Sequence, residues 1–180
     1  MSDETNDLLA AIEILWKNFN NCKAHFPYIP KEAKGAKEAR TAPYYIHQGF
    51  DVRFVFSEGI SEEGIEKINE IGHWINQNVI IRLCAVLESF HIMSNTIGIN
   101  FDLDGAEQVN IARRLRNCFA HSSGRYKADE NEHRKTLKLM KDKLGISIDG
   151  CTDWPLSIDT VIQPLFEGCS KYVREKAKNA

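Results

Sequence analysis

Arg116, Asn117 and His121 place three chemically capable side chains within six consecutive residues. An imidazole with a near-neutral pKa takes or gives a proton at physiological pH. A guanidinium grips a phosphate through two parallel hydrogen bonds and stabilises the charge that develops on it. An asparagine amide orients a neighbour or donates a hydrogen bond. A base, an acid and a charge stabiliser, with no metal, suit cleavage of RNA by its own 2′-hydroxyl. The surroundings fit a polyanion. Between Gln108 and Lys127 stand five cations (Arg113, Arg114, Arg116, Arg125 and Lys127) and no acidic residue. Such a patch attracts phosphate even on a chain of formal charge −2. Arg113, Arg114, Arg125 and Lys127 are therefore the candidate substrate-binding residues.

The element that must position these groups is a helix over roughly 104 to 121. Asp104-Gly-Ala-Glu107 has the form of a capping box, and Ser122-Ser123-Gly124 supplies a stop. On a helical wheel Ile111, Ala112, Leu115, Cys118 and Phe119 make the buried face, and Asn110, Arg113, Arg114, Asn117 and His121 the opposite one. Asn117 and His121 are four apart and so are neighbours. Arg116 lies about 140° round the axis from His121 if the helix is regular. One regular helix therefore does not aim both groups at one atom. Either the helix ends just before His121, or two subunits pack so that Arg116 of one copy meets His121 of another.

Helices are expected on both sides of this one. Leu8, Ile12, Leu15, Trp16 and Phe19 recur at helical spacing over 5 to 25, ahead of Pro27 and Pro30. From Ser61, a capping residue followed by Glu62 and Glu63, an apolar stripe runs from Ile65 to Ile97. It reads as one long helix over 61 to 97, bent near Gly72, with Glu88 beside the stripe and able to pair with Arg82 or reach Arg116. Residues 129 to 144 form a further helix closed by Gly145. Residues 146 to 156 read as a turn or small hairpin around Asp149-Gly150. Ser157 to about Lys176 is the last helix, with Pro164 as a kink site. The segment 26 to 60 is the least regular, a long insertion or loop. Within it Lys31 to Arg40 suits a short polar helix, and the alternation of Val52, Phe54 and Phe56 suits a short strand or a loop packed on the core. The expectation is one all-α domain over 1 to 180, an antiparallel helical bundle.

Composition narrows the class. With 43% hydrophobic and 27% charged residues the chain is a globular protein rather than a disordered one. No run approaches the roughly 18 apolar residues of a membrane span, and Ser2, Asp3, Glu4 and Asp7 do not make a secretory leader. Five cysteines with no C-x-x-C pair argue against a disulfide framework or a zinc site. A soluble, cytoplasmic protein without a cofactor or resident metal is expected. His25, His47 and His133 do not form a ligand set by spacing, and His73 and His91 suit packing or surface roles. Trp16, Trp74 and Trp154 suit the core or an interface. No phosphate-binding glycine loop, paired-carboxylate motif or nucleophile elbow is present.

Arg116-Asn117-Cys118-Phe119-Ala120-His121 resembles the Arg-(four to six residues)-His signature of the HEPN superfamily, in the form with a polar residue directly after the Arg. The preceding helix with Arg82-Leu-Cys-Ala-Val-Leu-Glu88-Ser-Phe90, and a helix after the motif, are similar to stand-alone bacterial members. The resemblance covers roughly 61 to 178. It implies a helical bundle, usually a homodimer, with two Arg-His motifs facing one cleft. It also implies a metal-independent endoribonuclease of toxin or antiphage type, in which His121 transfers protons, Arg116 stabilises the scissile phosphate and Asn117 supports them; Glu88, from its place on the preceding helix, is a supporting candidate. RNA, a second copy and an antitoxin or operon protein would be the partners. The alternative is a non-catalytic HEPN binding or assembly subunit of a defence or toxin-antitoxin operon, since a fold hosts many functions. Toxins controlled by a nucleotidyltransferase antitoxin carry Tyr two residues after the His. Here Ser123 stands there and the nearest Tyr is Tyr126, so that control is not implied.

Overall fold

The computed structural model describes residues 3–26, 28–40, 52–94, 97–121 and 124–179, with the side chain of His121 outside the described part. Five α-helices dominate: α1 (Asp3–His25), α2 (Glu62–Ser89), α3 (Ala106–His121), α4 (Asn131–Leu144) and α5 (Gln163–Lys178). Two short strands, β1 (Glu38–Arg40) and β2 (Arg53–Val55), pair antiparallel with Ala39 opposite Phe54. The architecture is mostly helical, as the periodicity predicts. No helix of the described residues is long and apolar enough to cross a membrane.

The chain divides into two compact units, Met1–Leu15 with Asn76–Ala180, and Trp16–Ile75. In the smaller unit Ile29, Ile60 and Ile65 form a core, with Phe56 and Ile68 packed against it. Asn69 clamps Ile29, its amide donating to the Ile29 carbonyl at 2.8 Å and its oxygen accepting the Ile29 N–H at 2.9 Å. Ser61 caps α2 as expected, accepting the Gly64 N–H at 3.0 Å. Lys31 to Arg40 is not a polar helix. Lys31–Ala33 makes a single 3-10 turn, the chain reverses, and backbone bonds Gly35 N–H to Ile60 O (2.8 Å), Ile60 N–H to Ala36 O (2.9 Å) and Phe56 N–H to Lys37 O (2.9 Å) lead into the strand pair. Pairing with a distant segment satisfies the backbone and overrides a weak local helix preference. Phe54 lies in β2, so the alternation around it is that of a strand.

In the larger unit α3 packs against α4 and α5, burying Ile111, Ala112, Leu115, Cys118 and Phe119 as the wheel predicts. Asn110, assigned to the open face, is only 9% exposed, because α3 is covered on more than one side. The capping-box reading of Asp104 is not met. Its carboxylate pairs with Lys171 of α5 at 2.8 Å, and the helix begins at Ala106. The Asp104 carboxyl is accordingly held below the usual carboxylate range by the hydrogen bond from Lys171 and the charge behind it. The backbone at Gly105 has φ +86°, and a Cβ there would sit 2.0 Å from the Gly168 carbonyl oxygen. Only glycine allows α3 to start this close to α5.

The helix expected over 61 to 97 ends at Ser89 instead. His91, with φ +56°, donates its N–H to Glu88 O at 3.0 Å, and Ile92 donates to Leu87 O at 2.9 Å. This is a Schellman closure with histidine in the left-handed position, reinforced by Lys176 donating to Ile92 O at 3.4 Å. Met93 lies past that stop yet is fully buried, so the apolar stripe continues after the helix has ended. Residues 146 to 156 form irregular chain with a turn closed by Cys151 N–H to Ile148 O (3.3 Å), and no strand ladder. The last helix is preceded by a wide turn, Ile158–Ile162, whose Ile162 N–H reaches Ser157 O at 3.0 Å. Pro164 is the second residue of α5 and follows this wide turn directly.

Candidate active site

Arg116 and Glu88 are brought together. The guanidinium Nη2 of Arg116, on α3, makes an ion pair with the Glu88 carboxylate on the last turn of α2. The two side chains are 25% and 35% exposed, so the pair lies at the surface with its guanidinium partly open. Asn117 is exposed one residue on. α3 carries through His121, so the helix does not end before it, and the backbone keeps Arg116 and His121 on different sides of one regular helix. The position of the His121 imidazole lies outside the described residues.

The basic patch is less uniform than its sequence. Arg114 pairs with Glu132 of α4 at 3.3 Å, and Lys127 pairs with Glu130 at 2.9 Å. Hydrogen bonding to Glu130 and its charge raise the Lys127 pKa. Arg113 and Arg125 make no ion pair among the described residues, and Arg125 is exposed. Of the five cations between Gln108 and Lys127, Arg113 and Arg125 thus make no ion pair among the described residues, while Arg114, Arg116 and Lys127 each meet a carboxylate.

The cysteine inside the motif is a packing residue. Cys118 is buried with its Sγ 3.9 Å from Thr136 Oγ1, and burial pushes its thiol up. Cys84, behind Arg116 on α2, is pushed to about 12 by burial, against the opposing pull of Arg116 and Arg113. Neither supplies a thiolate nucleophile at neutral pH. Among the described residues no group of three or more His, Cys, Asp or Glu side chains is placed to hold a metal ion.

Three residues shape the chain beyond the end of α3: Gln77, which the sequence did not single out, His133, weighed there only as a metal ligand, and Trp154, buried as expected. Gln77 donates its amide to Gly124 O at 2.7 Å, and a Cβ on Gly124 would meet the Gln77 oxygen at 2.2 Å. His133 is buried at 2% exposure, accepts the Lys127 N–H at 3.0 Å and meets Glu130 at 3.1 Å. Trp154 packs edge-on against both Phe119 (5.8 Å) and Tyr126 (5.3 Å). The sequence signal for His133 was its place in the first turn of a helix directly after the basic loop, which metal-ligand spacing does not detect.

No family model matches this chain, and neither a curated protein nor a solved structure matches it.

Proposed function

We propose that this chain is a metal-independent endoribonuclease of the HEPN type, acting as a homodimer in a bacterial toxin or antiphage system. The observation that carries the reading is the Arg116–Glu88 pair: a partly exposed guanidinium, on the helix that ends with His121, held by a carboxylate from the neighbouring helix. In this mechanism one imidazole takes the 2′-hydroxyl proton, and O2′ forms a bond to phosphorus. The bond from phosphorus to the 5′-oxygen breaks, and that oxygen takes a proton from an imidazolium. Arg116 neutralises the charge growing on the phosphoryl oxygens. A regular helix separates Arg116 from His121, so acid and base come from His121 of two copies, each working with the other copy's Arg116. Asn117 hydrogen-bonds at the same edge, and Arg113 and Arg125 hold flanking phosphates.

The test is RNA cleavage in excess EDTA with analysis of the ends. The parent protein should leave 2′,3′-cyclic phosphate and 5′-hydroxyl ends, and Arg116→Ala and His121→Ala should each lower the rate about 100-fold or more. Parent-like cleavage by both variants would sink the assignment. The second reading, a non-catalytic binding or assembly subunit of a defence operon, is favoured by the engagement of Arg114 and Lys127 in internal ion pairs. Toxicity on expression that disappears with His121→Ala would count against it.

A further inference from the structure

We infer that His133 is a positioning residue for the Arg125–Lys127 loop, locked as its Nε2–H tautomer to hold that loop in one register beside the end of α3. The functional part of this inference rests on the endoribonuclease reading.

The loop is tied at both ends. At its start the Gly124 carbonyl accepts from Gln77 at 2.7 Å, with Gly124 at φ +77°. At its other end the Lys127 N–H points at His133 Nδ1, 3.0 Å away. A neutral imidazole has one N–H and one lone pair. The backbone N–H requires the lone pair on Nδ1, so the proton sits on Nε2, facing Glu130 Oε2 at 3.1 Å. The second Glu130 oxygen takes Lys127 Nζ at 2.9 Å. His133, Glu130 and both ends of Lys127 thus close a ring of polar contacts around a buried imidazole.

Aromatic packing joins that ring to the candidate active helix. Tyr126 stacks on His133, with centroids 6.1 Å apart and planes 28° apart, and sets its edge on Trp154 at 5.3 Å. His133 also lies against Trp154 at 5.1 Å, and Trp154 meets Phe119, two residues before His121, at 5.8 Å and 84°. A displacement of the loop therefore has to break a buried histidine bond and repack aromatics that touch α3. Between the two anchors stands Arg125, exposed and without an ion pair among the described residues. The arrangement gives an arginine on a short loop a fixed place relative to the Arg-His helix, as recognition of a flanking RNA phosphate demands.

Three measurements on the parent and its variants decide this. Nitrogen-15 NMR of the His133 ring should show a protonated Nε2 and an unprotonated, hydrogen-bond-accepting Nδ1. This arm needs no variant, and a proton on Nδ1 overturns the proposal. His133→Leu, which keeps bulk and loses both ring bonds, should speed hydrogen exchange at the Lys127 amide about tenfold relative to core amides of α5. His133→Asn, whose side-chain oxygen replaces the Nδ1 acceptor, should restore protection, and unchanged Lys127 exchange in His133→Leu overturns the proposal. Binding of a 2′-O-methyl RNA oligonucleotide should fall about fivefold in Arg125→Ala and equally in His133→Leu. The double variant should be no weaker than either single, because both act through Arg125. Additive losses overturn the positioning role. If the parent itself neither binds the oligonucleotide nor cleaves RNA, the endoribonuclease reading fails, and the tautomer and exchange measurements still decide the latch.

Discussion

Arg116 reaches solvent in one orientation because Glu88 meets it from the end of α2. A pair this exposed contributes at most about 1 kcal/mol to stability, whereas misplacing a catalytic group by an ångström costs up to about 100-fold in rate. Under the proposed ribonuclease reading the effect on rate is therefore the larger. Glu88→Ala should lower RNA cleavage in EDTA roughly tenfold, while the thermal midpoint of a domain this size moves by no more than about 4 °C. An equal loss of folded protein and of activity would show that the pair is merely structural. At this scale the sequence offered Arg82 and Arg116 as partners for Glu88, and the structure has the pair with Arg116. It gave no sign that Arg114 would meet Glu132, 18 residues away on the next helix, while Lys127 meets Glu130 on its own turn. Ion pairs across elements follow from packing and leave no periodicity to read.

Helices were legible wherever one face is apolar. The regular recurrence of large side chains located α1, α3, α4 and α5 to within a few residues, since burying a stripe is what stabilises a helix in a protein. The errors fall at ends and crossings. The apolar series continues to Met93, but α2 stops at Ser89, because Met93 is buried by a chain that has already turned. Asp104 has the right spacing for a cap and is engaged by Lys171 instead. The close crossing of α3 and α5 rests on two glycines. At Gly105 a Cβ collides with backbone at positive φ, so Gly105→Ala should cost about 3 kcal/mol or more in urea unfolding. At Gly168 a Cβ would lie 2.3 Å from Gln108 Cγ and 2.4 Å from Gln108 Cβ, an atom fixed to the α3 backbone, so the helices themselves must give. Gly168→Ala should therefore also destabilise, by about 2 kcal/mol, the helix preference of alanine offsetting part of the clash. Parent-like urea unfolding of Gly168→Ala would mean that this contact does not set the crossing.

For the whole molecule the most testable property is the dependence of stability on pH. Lys23 is only 7% exposed, its amine donates to the Gly72 carbonyl at 3.3 Å, and burial lowers its pKa. Below its folded pKa the charged amine is held at a cost. As pH rises from the lowered folded value towards the ordinary 10.5, the unfolded chain binds more protons than the folded one, so this group makes stability rise with pH. Lys23→Met should remove that contribution: urea midpoints of variant and parent should differ most near pH 7 and converge towards pH 10.5. A difference independent of pH would refute the buried-charge account. By itself the sequence determined that the chain is mainly helical and where most of its helices lie, because helical periodicity is a local property. Tertiary structure alone decided the division into two units, the conversion of 31 to 40 into a turn and a strand, and the end of α2. It also decided which cations around Arg116-to-His121 are neutralised, and the role of His133 in anchoring the loop beyond them. Most of those depend on packing between elements, where an unpaired buried backbone group costs more than a local preference supplies.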